Sequence, residues 1–219
     1  MIEDLAALPL QKADGIMLPK VGGAHHLAAC REAIDAGKGP PDIPLIPIIE
    51  SAAGVVNLSE IARMPTVFCL SFGRLDLSAD LSIDPQVDSP TLAAARAAVA
   101  LNSRAAGLHQ PLESPWVNIK DLDGLREAAQ RARADGFGGM LLIHPSHVPV
   151  VNEVFSPTEN EVAWARAMMA AAQRGDAAGR GAYKVDGEMV DEAVIRRARA
   201  ILEEAQAAGR QTSGAGGTA

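Results

Sequence analysis

Pro44-Leu45-Ile46-Pro47-Ile48-Ile49 runs straight into Glu50, and Thr66-Val67-Phe68-Cys69-Leu70-Ser71-Phe72-Gly73 leads, across Arg74 and Leu75, to Asp76. Runs apolar at nearly every position predict strands buried on both faces, the habit of parallel α/β sheets rather than antiparallel ones. In barrels built that way, chemistry gathers where strands end and their following loops begin. Two carboxylates at such ends can share one hard cation. Mg²⁺ is typically held by one or two carboxylates, with waters and substrate oxygens completing its octahedron. The pair therefore predicts a Mg²⁺-assisted enzyme with Glu50 and Asp76 as metal ligands. The competing reading is that each acid merely caps the helix that follows it.

Composition bounds the rest. A chain of 219 residues can bury one substantial core, with or without an appendage. Hydrophobic residues make up 48% and aromatics only 3%, so that core is aliphatic. A formal net charge of −7 argues against a broad nucleic-acid or anionic-membrane surface, though not against a local basic pocket. No apolar run is long enough to span a bilayer, and Met1 opens no signal-peptide pattern. Cys30 and Cys69 read as reduced thiols of a cytoplasmic protein rather than a disulfide or a zinc site.

Five strand candidates stand out, each followed by a helical stretch. Gly15–Lys20 is the first, with an Ala-rich helix from Ala24 to Ala36 after it. The Glu50 strand is followed by Val55 to Arg63, and the Asp76 strand by the Ala-rich helix Thr91 to Ala106. Pro115–Ile119 is a fourth, weaker strand before a helix that Asp121 could cap and Gly136 could end. Gly139–Ile143, ending in His144-Pro145, is the fifth. Ser156-Pro157-Thr158-Glu159 then reads as a capping box with Pro at the first helical position. The helix it opens is expected to reach Arg174, where Gly175 stops it. A Gly-rich segment to Gly187 and a last helix from about Met189 to Ala208 complete the pattern. The expected organisation is thus a partial (β/α) barrel over residues 1–155, a helical lid over 156–208 and a disordered tail over 209–219. Strand and helix alternate, which implies a parallel sheet with right-handed crossovers. An eight-fold barrel takes about 250 residues, and this chain falls three units short of closure.

Five motifs occur in order: Asp14-Gly-Ile-Met-Leu-Pro-Lys20, Ile49-Glu50-Ser-Ala-Ala-Gly54-Val-Val-Asn57, Phe72-Gly73-Arg-Leu-Asp76-Leu77, Gly136-Phe-Gly-Gly139 with Ile143-His144-Pro145, and Asp186-Gly187-Glu-Met-Val-Asp191. Together they resemble the citrate lyase β-subunit-like branch of the HpcH/HpaI aldolase family, from about Asp14 to Leu202. The resemblance implies a (β/α)8 TIM barrel that makes or breaks carbon–carbon bonds in short-chain acyl-CoA thioesters of the citryl-, malyl- or citramalyl-CoA type. Some relatives hydrolyse the thioester instead. It also implies Mg²⁺ on Glu50 and Asp76, and a C-terminal lid whose Asp, here Asp191, acts in the site of a neighbouring subunit. A homo-oligomer, a trimer, is expected on the same ground. An Asp on a lid suits the chemistry, because a proton must move while water is excluded.

The chain also departs from that pattern. The family begins with three more strand units, carrying an Asp-Leu-Glu-Asp strand end and an Arg-x-Asn strand whose Arg holds the substrate's carboxylate or keto oxygen. Neither motif occurs in these residues, and Ile2–Leu8 resembles the helix after the third strand. The chain is therefore expected to enter the barrel midway, as an N-terminally incomplete member of about five parallel strands. A non-catalytic partial barrel, serving as a binding or assembly partner, is the alternative to an enzyme. Gly22, Glu113, Trp116, Met140 and His147 replace a frequent Glu, Asp, Tyr, Lys and Gln of the family, which bears on substrate identity rather than on the metal.

Other candidates rank lower. Adjacent residues such as His25 and His26 face different directions on a helix and cannot easily share an ion. His144 ends a strand and is expected to orient its loop. Arg74 is expected to be a loop arginine rather than an anion-binding stand-in. Lys20 could form a Schiff base, but the acidic pair favours a role as charged neighbour or ion-pair partner. Trp164, Met168 and Met169 read as packing residues.

Overall fold

A computed structural model of the chain describes residues 5, 7–37, 39–87, 89–176, 183–185 and 188–214. The chain divides into two compact units, Met1–Val151 and Asn152–Ala219.

The first unit is built on five parallel strands: β1 (Ile16–Leu18), β2 (Leu45–Ile49), β3 (Ser71–Phe72), β4 (Leu112–Glu113) and β5 (Gly139–Met140). They pair in chain order, β1-β2-β3-β4-β5, each with its predecessor. The crossovers carry α1 (Ala24–Ala36), the short pair α2 (Ala52–Val56) and α3 (Leu58–Ala62), α4 (Arg74–Asp80) with α5 (Pro90–Ala105), and α6 (Leu122–Ala134). Sequential order with helical crossovers is the winding of a (β/α) barrel, here an open arc of five strands.

One face of this arc carries the core. Leu45 and Ile49 of β2, with Leu70 and Phe72 of the third strand run, lie at 1% exposure or less, as do Leu27, Ile34, Ile61, Leu92, Val99 and Leu125 of the helices. Each such side chain contributes roughly 1.5–3 kcal/mol by leaving water. The opposite face is not covered to the same degree. Met17, register partner of Ile46, is 40% exposed, and Phe68 is 44% exposed. β1 and β2 are therefore fully buried on one face only, because five strands do not close round their inner side, whereas the central β3 is buried on both faces at Ser71 and Phe72.

The third strand also breaks regularity. Val67 bridges Leu45, whereas Ser71 pairs with Ile48, so three steps along β2 match four along the facing run. One extra residue between Val67 and Ser71 makes a bulge. Cys69 and Leu70 are consequently both buried although adjacent.

Other details differ from the sequence reading. The fourth strand is Leu112–Glu113, upstream of Pro115–Ile119. The apolar Trp116-Val117 stretch misled because β4 is only two residues long and borrows its burial from β3 and β5. The expected helix over 55–63 is two helices that meet at Asn57, whose side-chain amide donates to the Gly22 carbonyl at 2.7 Å. Gly54 lets α2 come close: a Cβ there would meet the Val21 carbonyl oxygen at 2.5 Å. Asp121 does cap α6, accepting the Gly124 N–H at 2.9 Å. Cys30 and Cys69 are buried free thiols, and burial pushes the Cys69 thiol up to about 11.

A further helix, α7 (His147–Phe155), precedes the Ser156 region and was not anticipated. In the second unit, α8 (Glu159–Asp176) opens with a capping box two residues later than the sequence suggests. Glu161 N–H donates to Thr158 Oγ1 at 3.2 Å, and Glu161 Oε2 accepts the Thr158 N–H at 2.8 Å. Ser156 instead donates its hydroxyl to the Asn152 carbonyl at 2.6 Å. An antiparallel hairpin follows, β6 (Tyr183–Val185) and β7 (Glu188–Val190), then α9 (Glu192–Gly214). The last helix thus continues past Gly209, where a disordered tail was expected to start; residues 215–219 lie outside the described residues. Ala165, Met168, Val190, Ala198 and Ile201 form this unit's buried cluster, with Trp164 and Met169 packed against it. Arg197 lies over the Trp164 ring at 4.9 Å, so these three side chains are packing residues. Among the described residues, no helix is long and apolar enough to cross a membrane.

Candidate metal centre

Three strand exits meet at one rim of the arc. Lys20 lies just beyond β1, Glu50 directly follows Ile49 of β2, and Asp76 sits in the first turn of α4, immediately after β3. Parallel strands in sequential order put successive strand ends side by side, so residues 30 and 26 positions apart become neighbours.

Glu50 is only 8% exposed. Its Oε1 accepts the backbone N–H of Lys20 at 2.8 Å. Lys20 also adopts a left-handed backbone, φ 55°. Non-glycine residues rarely pay the strain of this region except where surrounding structure imposes it. The Lys20 ammonium lies 3.5 Å from Asp76 Oδ1, so one lysine touches both acids. Burial pushes the Glu50 carboxyl above the usual carboxylate range, and the Asp76 charge pushes it the same way; the Lys20 N–H and ammonium oppose both. Glu50 therefore feels the Asp76 charge.

Neither acid does the work of a helix cap. Ser51 caps α2, its hydroxyl accepting the Gly54 N–H at 3.1 Å. Gly73 is the N-cap of α4 and makes no side-chain cap bond. Asp76 does gain from the positive N-terminal end of α4.

Two residues that the sequence reading passed over complete the geometry. Gly73 lies against Glu50: a Cβ there would stand 2.4 Å from Glu50 Cβ and 2.7 Å from Oε2. Ser114 accepts the Arg74 N–H and donates to the Phe72 carbonyl, each at 2.7 Å, fastening the start of α4 to the end of β3. Ser114 was hidden by the misplaced fourth strand; once β4 ends at Glu113, it is a strand-end residue like Glu50.

The remaining candidates lie elsewhere. Arg74 is not the loop arginine expected: it is the first residue of α4, half-buried, and donates to the Pro85 and Val87 carbonyls at 2.8 and 3.2 Å. Glu113, 6% exposed, is held by Arg96 at 2.7 Å, and Arg96 also reaches Asp135 at 2.8 Å and covers the Phe137 ring. His144 Nδ1 lies 2.7 Å from Ser146 Oγ, within its own loop. His147 is fully buried, with Nε2 3.2 Å from the Ile119 carbonyl. His26 Nδ1 accepts the Gly22 N–H at 3.1 Å. Asp191, in the second unit, caps α9 by accepting the Val194 N–H at 3.0 Å.

The donor set fits a hard cation. Among the described residues, no three His, Cys, Asp or Glu side chains converge as a cage. Two hard carboxylates, Glu50 desolvated and Asp76 already drawing the Lys20 ammonium, suit Mg²⁺, which keeps waters and takes substrate oxygens for its other positions.

A parallel, sequentially wound (β/α) arc with acids at its strand ends defines the class of barrel enzymes that work at the C-terminal ends of their strands. The chain belongs to the HpcH/HpaI aldolase/citrate lyase family, a family of carbon–carbon lyases, whose model it matches over residues 1–145. It is 35% identical over 205 residues to a (3S)-malyl-CoA thioesterase of Cereibacter sphaeroides, covering 94% of this chain and 70% of the relative. It is 35% identical over 220 residues to an L-malyl-CoA/beta-methylmalyl-CoA lyase of Rhodobacter capsulatus, covering 90% and 69%. Among solved structures it is similar to CitE of Mycobacterium tuberculosis in complex with magnesium, acetoacetate and coenzyme A. That likeness has TM-score 0.76 and 31% identity, over 93% of this chain and 73% of that one.

Proposed function

We propose that the chain is a Mg²⁺-dependent carbon–carbon lyase acting on short-chain 3-hydroxyacyl-CoA thioesters of the citryl-, malyl- or citramalyl-CoA type. One observation carries it: Glu50 and Asp76 stand at adjacent strand ends, tied together by Lys20 and coupled electrostatically. Membership of a carbon–carbon lyase family and the magnesium and coenzyme A held by the M. tuberculosis neighbour support it.

Glu50 and Asp76 would hold the ion, which supplies Lewis-acid stabilisation of the negative charge that builds on oxygen as the bond breaks. The chain's own residues set the geometry. Lys20 N–H fixes one oxygen of Glu50, the absent side chain of Gly73 leaves room for the other, and the Ser114 bonds hold α4 and hence Asp76 in place. Asp191 is the proposed acid/base, reaching the site of a neighbouring subunit in a homo-oligomer, a trimer. It would move the proton at the substrate hydroxyl while the segment carrying it excludes water.

The experiment is cleavage of malyl-CoA and citramalyl-CoA by the purified chain with Mg²⁺ and with a chelator, alongside light scattering for the assembly. Acetyl-CoA with glyoxylate from malyl-CoA supports the lyase. Free coenzyme A with malate favours thioester hydrolysis, the second reading, which the 35% identity to a thioesterase motivates. No turnover and no Mg²⁺ binding defeats both.

A further inference from the structure

We propose that Lys20 is the resident counter-cation of the acidic pair, displaced from Asp76 when Mg²⁺ enters and thereby freed to bind the carboxylate of the substrate. The inference rests on the magnesium reading and adds a binding residue to it.

Three features single out Lys20. Its backbone is left-handed at φ 55°, and its N–H is committed to Glu50, so its Cα is fixed at the edge of the site. Its side chain is 74% exposed, so the four-carbon stem above that anchor is free to swing. Its ammonium lies 3.5 Å from Asp76, where a hard cation would have to sit. Arg74, the nearest alternative by sequence, directs its guanidinium at the Pro85 and Val87 carbonyls instead.

Charge decides the order of events. Glu50, Asp76 and Lys20 together carry a net charge of −1, which repels an anionic substrate. A bound divalent ion turns the same cluster to +1. Asp76, if it held such an ion, would no longer pair with the Lys20 ammonium, which the ion's charge would repel. The released ammonium stays within a side chain's length of the ion, because the Lys20 N–H bond to Glu50 remains. It then meets an anion whose other oxygens the ion attracts. The substrate site is thus assembled only after the metal arrives.

The test compares wild type, K20M and K20R, each as the full chain, by calorimetric titration with MgCl₂ and then with acetoacetate on the Mg²⁺-saturated proteins. K20M removes a competing cation, so Mg²⁺ is expected to bind about two- to fivefold tighter, the scale of an exposed ion pair. Acetoacetate is expected to bind K20M about tenfold weaker, the loss of one charge-assisted hydrogen bond, and K20R to stay within about threefold of wild type. Thermal melts confirm that the exposed substitution leaves the fold intact. A wild type that binds Mg²⁺ while K20M binds it no tighter overturns this inference alone, as does acetoacetate affinity that is equal in both or absent from both. A wild type that binds no Mg²⁺ overturns the magnesium reading together with it.

Discussion

Gly73→Ala isolates the packing around Glu50, a proposed metal ligand. Gly73 has φ −110° and ψ 86°, a conformation open to alanine, so the substitution adds no backbone strain. The added Cβ would stand 2.4 Å from Glu50 Cβ, whereas ordinary contact begins near 3.4 Å, so Glu50 must move by about 1 Å. The clash is with the root of the Glu50 side chain, not its flexible tip, so rotation of the carboxylate alone cannot relieve it. Glu50 is 8% exposed and its Oε1 is bonded to Lys20 N–H, so the shift strains the β2 exit or breaks that bond. Overpacking of this kind costs roughly 1–3 kcal/mol. Mg²⁺ demands oxygens at about 2.0–2.1 Å, and loss of support around a ligand typically weakens metal affinity about 10–100-fold. Calorimetric Mg²⁺ titration and urea unfolding read the two effects separately. An alanine variant with wild-type Mg²⁺ affinity and wild-type stability would show that Gly73 and Glu50 do not crowd each other, and the reasoning would fail.

The raised Glu50 carboxyl predicts opposite pH trends for stability and for metal binding. A raised folded-state value means that the folded chain holds the proton more tightly. Metal-free stability contributed by Glu50 is therefore fully present below the ordinary glutamate value and lost as pH rises through the raised one. Mg²⁺ needs the ionised form, so its affinity falls as pH drops through the same window; urea midpoints of wild type minus Glu50→Gln, without and with Mg²⁺, should show both, and a flat difference refutes them. Arg96→Met strands the buried Glu113 carboxylate and should cost about 3–5 kcal/mol in urea; a loss below about 1 kcal/mol would mean that the Arg96 cluster is solvated. Asp191→Asn retains a competent cap for α9 whereas Asp191→Ala costs about 1 kcal/mol. Turnover lost in both, with Mg²⁺ affinity kept, marks acid/base chemistry; turnover kept in the asparagine variant confines Asp191 to capping.

The strand content was legible wherever local chemistry was strong. Leu45–Ile49 carries its burial in its own side chains, and the Asp121 cap needs only the amide of Gly124, three residues away. The acids Glu50 and Asp76 were visible because Glu50 follows its apolar run directly and Asp76 follows within three residues of Gly73. Short or frame-dependent features were not. Leu112–Glu113 is too brief to announce itself, and the capping box at Thr158 differs from Ser156-Pro157-Thr158-Glu159 only in which hydroxyl faces which amide.

By itself the sequence determined the parallel (β/α) order and the two strand-end acids, because periodicity and burial are written in neighbouring side chains. Only the tertiary structure decided what those acids meet: the left-handed Lys20 between them, the Gly73 that must lack a side chain, and the Ser114 that pins α4. Those contacts join residues 23 to 56 positions apart, and a chain's linear order holds no record of which of its distant atoms will arrive within 3.5 Å of each other.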